Sequence, residues 1–384
     1  MQYVTKEVFD YAVSCRRYLH RHPELGFDLD NTVAFVRGEL DKLGISWSEA
    51  GPASVTAWIG PAGAKIAVGL RADMDALPVQ EKTGLAYASE IPGRMHACGH
   101  DAHTAVLLAV AKLLKPMEEN LPCRVKLLFQ PSEECEISGA RSMVDHGAVD
   151  DVDFVVCTHT ENRLETGKLG YRMGDHMAAC NPITITFRGK TAHATRPEEG
   201  VDAIAMAVEA YGALKEIAAE EAGKDTVYIF GMNYFHGGTA HNVVSNHCDL
   251  KISFRYYDME FAARVEKRCI EKCHEIAARY GGTADPNWFM SAPPVYNEPA
   301  LVERFVRRIQ EVLPEAAVQL PLSKGTEDFA WFLQKKPGFA FFFGTKNEAL
   351  GCTGDAHCND FRIDENAMEY AIEAFAQLVL HGCP

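Results

Sequence analysis

The middle third of the chain sets the tightest limit on its fold. From Ile183 onward the pattern runs strand, helix, strand, strand, helix, strand. ITITFRGK (183–190) alternates apolar and polar residues, as a half-buried strand does. Ile204, Val208, Tyr211 and Leu214 then fall on one helical stripe. TVYIFGMNYF and HCDLKISFRYY read as two further strands separated by a Gly237-Gly238 turn, and a long helix covers about Met259 to Tyr280. ADPNWFMSA supplies the last strand. This order is that of a split βαβ, ferredoxin-like sandwich.

The flanks follow another pattern. Short apolar runs at Ile66–Leu70, Val125–Phe129, Phe154–Val156 and Phe339–Phe343 alternate with helical stretches such as Asp101–Met117, Gly139–His146 and Pro299–Leu313. That alternation belongs to a layered α/β domain. At 384 residues the chain exceeds one compact core and fits two domains. The expected fold is therefore α/β. A layered domain with a central, largely parallel sheet spans residues 1–178 and 292–384. An α+β, ferredoxin-like domain is inserted at 179–291.

Composition removes some functions. With 53 acidic against 38 basic residues the formal charge is −15, which repels nucleic acid and anionic membrane surfaces. The most apolar stretch, Ala105–Leu114, is interrupted by Lys112 and closed by Lys115, too short to span a bilayer. The first residues lack the apolar core of a signal peptide. Twelve cysteines without regular spacing or a C-x-x-C pair read as reduced thiols, so a cytoplasmic location is expected.

Chemistry gathers where the apolar runs end. Ile66–Leu70 leads into Arg71-Ala-Asp73-Met-Asp75, Phe129 into Gln130-Pro-Ser-Glu133-Glu134, Val156 into Cys157-Thr-His159, and Phe343, after a loop, into Gly354-Asp-Ala-His357. Ligands of open α/β sheets bind in the crevice at the carboxyl ends of the strands. His96, Cys98, His100 and His103 add a dense set of metal-binding groups, with Gly99 free to turn the backbone between two of them. The plainer reading is a helix start capped by Asp101, which explains that residue and not the other four. Glu133-Glu134 alone would be a solvated loop. Directly after a buried strand, one carboxylate can hold metal while its neighbour faces substrate. Cys352 and Cys358 have no second pair to complete a separate zinc site.

RRYLHRHPELGF, LRADMDALPVQE, MHACGHDAHTAVLL, LFQPSEE, FRGKTAHATRP, GGTAHNVVSN and GTEDFAWFLQ together resemble the M20 metallopeptidase family, and most nearly its aminoacylase-like amidohydrolases. The resemblance extends over the whole chain. It implies a binuclear metal-dependent hydrolase of N-acyl amino acids, with two divalent ions (zinc or manganese, cobalt and nickel also compatible). Metal ligands by resemblance are Cys98, His100, Glu134, His159 and His357. Cys98 stands where many relatives carry a bridging aspartate. Glu133 resembles the general base and Asp75 the aspartate that supports the metal site. The inserted domain resembles a lid and homodimerisation domain whose His193, Asn242 and Arg255 contact substrate. Cys135-Glu-Ile-Ser after the paired glutamates, and His241 before Asn242, depart from the family's usual residues. Two rival functions share the same features: a dipeptidase or carboxypeptidase on this scaffold, and a metal- or peptide-binding protein without catalysis.

Overall fold

The computed structural model describes residues 1–383, which gather into two compact units. One holds Met1–His176, Val295–Leu322 and the chain from Glu327 onward; the other holds Met177–Pro294 and Ser323–Thr326.

The first unit is built on an eight-stranded sheet. Its main strands are β1 (Val55–Ile59), β2 (Ala67–Asp73), β3 (Arg124–Gln130), β4 (Phe154–Glu165) and β5 (Gly338–Lys346). They lie in the order β1-β3-β2-β4-β5, with Trp47–Ser48 outside β1 and with Leu169–Tyr171 and Ala317–Gln319 beyond β5. β3, β2, β4 and β5 run parallel, so their carboxyl ends share one edge. β1 and Leu169–Tyr171 pair antiparallel on either side. β2 and β3 are buried on both faces after their first residue, which is why they read as continuous apolar runs. The helix His100–Leu114 is buried all round except at Lys112, as a helix without a polar face must be. It packs among the sheet, the Lys6–Arg21 helix and the Ala367–Gln377 helix.

Two strands run further than their apolar residues suggest. β2 continues to Asp73, making Arg71 and Asp73 strand residues on one face. β4 continues to Glu165, so His159 lies inside a strand opposite Phe342 rather than past its end. A parallel neighbour continues beside each of these ends, Gln130 beside Asp73 and Phe342 beside His159, and pairing therefore outlasts hydrophobicity.

The second unit carries four strands, Ala179–Arg188, Tyr228–Gly237, His247–Tyr256 and Thr283–Trp288. All pairs are antiparallel, and the fourth, first, third and second strands lie side by side in that order. The helices Ala203–Glu221 and Met259–Tyr280 share one core with the sheet, and each starts on an aspartate cap, Asp202 and Asp258. This is the ferredoxin-like α+β arrangement. Cys269 and Cys273 line the buried face of the second helix. The expected turn at Gly237-Gly238 is absent. Gly237 is the last strand residue, where a Cβ would meet Cys248 Sγ at 2.9 Å, and residues 238–246 form a longer loop held by Gly238 N–H on Ser245 Oγ at 3.1 Å. Gly237 is present for close approach, and Gly238, at φ 84°, opens the loop.

No helix among the described residues is long and apolar enough to cross a membrane.

Candidate metal centre

The site grows from the carboxyl ends of β2, β3 and β4. Arg71 is fully buried, which is tolerable only because its guanidinium is surrounded by acceptors. Nη1 meets Asp73 Oδ2 at 2.7 Å, Nη2 meets Glu327 Oε1 at 2.9 Å and Asp328 Oδ1 at 3.0 Å, and Nε donates to Gln130 Oε1 at 2.7 Å. The second oxygen of Asp73 takes His103 Nδ1 at 2.6 Å. Thr160 N–H donates to His103 Nε2 at 2.9 Å, so the proton of this imidazole must sit on Nδ1. Burial pushes His103 down to about 4, in keeping with a neutral ring. Both nitrogens are committed. His103 is a support for Asp73, although the sequence grouped it with the ligands.

The loop after β3 is folded back by Ser132, which adopts φ 53° and donates through Oγ to Ile137 O at 2.7 Å. Its backbone is then tied to β2: Asp75 accepts from Glu133 N–H at 2.9 Å and from Glu134 N–H at 3.1 Å. Asp75 thus shapes the glutamate loop with both oxygens. A Cβ on Gly139 would lie 1.7 Å from Pro131 O, so only glycine lets this loop close.

Gly99 occupies the N-cap position of the His100–Leu114 helix with φ 89°. The expected Asp101 cap is therefore replaced by glycine. Asp101 sits buried in the first turn instead, 3.1 Å from Arg16 Nε and 2.8 Å from His20 Nδ1, which anchors the helix start to Lys6–Arg21. The left-handed residue aims Cys98 and His100 toward the same space as His159 of β4. Cys98 Sγ lies 3.5 Å from His159 Nε2. His357, itself at φ 67° with its N–H on Ala97 O at 2.8 Å, brings Nε2 to 3.2 Å from Glu134 Oε1. Donor atoms within 4.8 Å of one another are found in Cys98–His100–His159, in Cys98–Glu134–His357 and in His100–Glu133–Glu134. The five residues expected to be ligands are thus together in one unit, with Glu133 beside them.

A Cβ on Gly99 would stand 2.7 Å from Thr160 Cγ2, in a conformation that L side chains avoid. Gly99→Ala should therefore displace Cys98 and His100 and cut metal affinity by about tenfold or more, the scale of disturbed ligand support. Metal titration of the variant checks this; wild-type affinity would show that the left-handed turn is not needed.

The electrostatics suit a cation. Burial opposes a charged His100, but Asp73, followed by Asp75 and Glu134, overcomes it and lifts the imidazole to about 10. Burial, then the charges of Glu327, Glu134 and Asp328, holds Glu133 well above the ordinary carboxylate range. The Cys98 thiol is pushed up by burial and by Glu134 and Glu133. Both nitrogens of His100 are buried without a hydrogen-bond partner. Unpaired buried donors and crowded carboxylates are costly unless a cation joins them. A thiol, three imidazoles and a carboxylate form a mixed set that divalent metals accept. The residues fit such ions.

Residues 69–381 match Peptidase family M20/M25/M40. The chain belongs to this family. It is 32% identical over 380 residues to thermostable carboxypeptidase 1 of Saccharolobus solfataricus, covering 98% of this chain and 96% of that protein. It is 34% identical over 357 residues to N-acetyl-L-cysteine deacetylase of Bacillus subtilis, covering 93% and 84%. Among solved structures, a dinuclear metal-binding peptidase of the M20 family from Bacillus subtilis superposes with a TM-score of 0.85 at 29% identity, covering 98% of each chain.

Other features of this M20 chain fall outside the five-residue cluster. His96 is buried with both nitrogens unpartnered, burial pushes it down to about 3, and it joins no donor group among the described residues. Cys352 is buried and Cys358 exposed, and neither belongs to such a group among those residues. His193, Asn242 and Arg255 lie in the second unit. Exposed His193 and Asn242 sit on neighbouring segments, joined by Ala194 N–H on Asn242 O at 3.0 Å. Arg255 Nη1 donates to Lys324 O at 2.8 Å and to Thr326 Oγ1 at 3.0 Å, within the same unit. Glu327 and Asp328 went unassigned in the sequence. Together with Glu133 they bring three carboxylates within 4.8 Å.

Proposed function

We propose that this M20 chain is a metal-dependent amidohydrolase that cleaves N-acyl amino acids, or similar conjugates, to a carboxylic acid and a free amino acid. The observation that carries this reading is the meeting of Cys98, His100, Glu134, His159 and His357 with Glu133 left beside the cluster. The first five residues would hold two divalent ions, with zinc favoured by the thiol and imidazoles and manganese by the carboxylate. Bound there, such ions activate water and polarise an amide carbonyl. Glu133 takes the proton of the attacking water and delivers it to the leaving nitrogen. Asp75 keeps Glu133 in reach by fixing its backbone. His193 is the candidate donor to the developing oxyanion, and Arg255 the candidate clamp for a substrate carboxylate, for which a guanidinium is suited. Asn242 would contact the substrate beside His193.

A homodimer through the second unit belongs to the same reading. It is supported by the strand Tyr228–Gly237, which ends the sheet and exposes Tyr234 and Phe235. A carboxypeptidase is the second reading, favoured by the similarity to thermostable carboxypeptidase 1.

One native sample tests these points together. Metal analysis should find about two ions per chain, native mass should correspond to two chains, and chelation should abolish release of amino acid from N-acetyl or N-benzoyl substrates, with recovery on adding zinc or manganese. Cleavage of dipeptides and C-terminally free peptides in preference to those amides would favour the carboxypeptidase. Turnover that survives complete metal removal would defeat both.

A further inference from the structure

Glu133 must face the water it deprotonates, yet Arg71, a cation whose charge it feels, belongs to the supporting network. Among the described residues no lysine or arginine lies within ion-pair distance of Glu133, and its charged neighbour is His100 Nε2 at 3.9 Å. Arg71 Nη2 is engaged by Glu327 Oε1 at 2.9 Å and Asp328 Oδ1 at 3.0 Å, and Glu327 Oε1 is itself fixed by Phe329 N–H at 3.0 Å. Glu133, Glu327 and Asp328 bring donor oxygens within 4.8 Å of one another, so the base lies one carboxylate away from a buried guanidinium.

We infer that Glu327 is a positioning residue for Glu133: by occupying Arg71 Nη2 it prevents that guanidinium from capturing the base. A guanidinium with a free N–H pair forms strong, short bonds to any carboxylate within reach. Glu327 and Asp328 together take the two N–H groups of Nη2, and loss of Glu327 frees one of them for Glu133. Without it, Glu133 swings to Arg71 and leaves the water. This inference rests on Glu133 being the base.

The test compares near-isosteric variants. Glu327→Gln keeps an oxygen for Arg71 Nη2 and for Phe329 N–H, whereas Glu327→Met and Glu327→Ala remove it. In Glu327→Met and Glu327→Ala, kcat should fall by about 10²-fold, the cost of a reacting group misplaced by an ångström. KM and metal content should stay near wild type, and whatever melting temperature is lost with the buried partner of Arg71 should not set the order of kcat among the variants. Glu327→Gln should remain within about threefold of wild-type kcat, because both hydrogen bonds of the acceptor persist. A crystal structure of the alanine variant should show Glu133 hydrogen-bonded to Arg71. Near-normal kcat in the methionine and alanine variants, equal losses in all three, or losses that track metal content or melting temperature would overturn the inference. Glu133→Gln separates this failure from failure of the underlying reading: if that variant is inactive while Glu327→Ala is fully active, only the role of Glu327 falls.

Discussion

Glu133→Gln should lower kcat by at least about 10²-fold while both metal ions remain bound. Glutamine keeps the shape of the side chain, and the backbone N–H of residue 133 still donates to Asp75, so the loop has no reason to move. The amide cannot accept a proton from water and return it to a leaving nitrogen. On the proposed reading Glu133 is not needed to hold metal, since Cys98–His100–His159 and Cys98–Glu134–His357 each bring three donors together without it. KM should change little if substrate is held by other residues. Steady-state kinetics on an N-acyl amino acid, paired with metal analysis of the same preparation, decides the matter. Turnover within a few-fold of wild type, with full metal content, would remove Glu133 from the mechanism. Loss of metal together with activity would reassign it as a ligand.

The contrast between Glu133 and the residues around it shows what could be read from the sequence. Glu134 and His159 stood out because they end apolar runs whose parallel strands share one edge, and Cys98 and His100 because they crowd the start of an apolar helix; joining them with His357 as one ligand set rested on the family resemblance. The order of elements in the second unit was equally legible, since a period of two or 3.6 residues survives in any half-buried element. The supporting network was not legible. Arg71 pairs with Asp328 across 257 positions, and neither residue carries a local pattern that points to the other. Glu327-Asp328 follow no strand and precede a four-residue helix, so nothing placed them beside β2. His103 misled for the opposite reason. It sits at ligand spacing from His100 on the same helix, but the N–H of Thr160, on β4, fills the nitrogen that a metal would need. Gly237-Gly238 misled as well, because a glycine pair serves close packing as readily as a turn, and a single chain does not say which.

The largest effect on stability should come from Arg71→Met. Methionine fills much of the arginine volume, so the loss is mainly of charge, and it strands Asp73, Glu327 and Asp328 in a site closed to water. Removing one partner of a buried ionic group costs about 3–5 kcal/mol, because the remaining charge has neither solvent nor counter-ion. Against burial, His100 first and then Arg71 hold Asp73 well below the ordinary carboxylate range. Asp328 is already pushed up to about 7 by burial even with Arg71 beside it. Without the guanidinium Asp328 should bind its proton more tightly still in the folded chain than in the unfolded one. The folded state then carries more protons, so stability must fall as pH rises from the unfolded carboxylate range toward the raised folded values. The deficit of Arg71→Met relative to wild type should accordingly be larger at pH 8 than at pH 5. Denaturant melts at the two pH values measure both magnitude and sign. A deficit below about 1 kcal/mol at pH 8, the scale of an exposed pair, would mean that water reaches these carboxylates. A deficit that shrinks with rising pH would mean that Arg71 does not hold their charges.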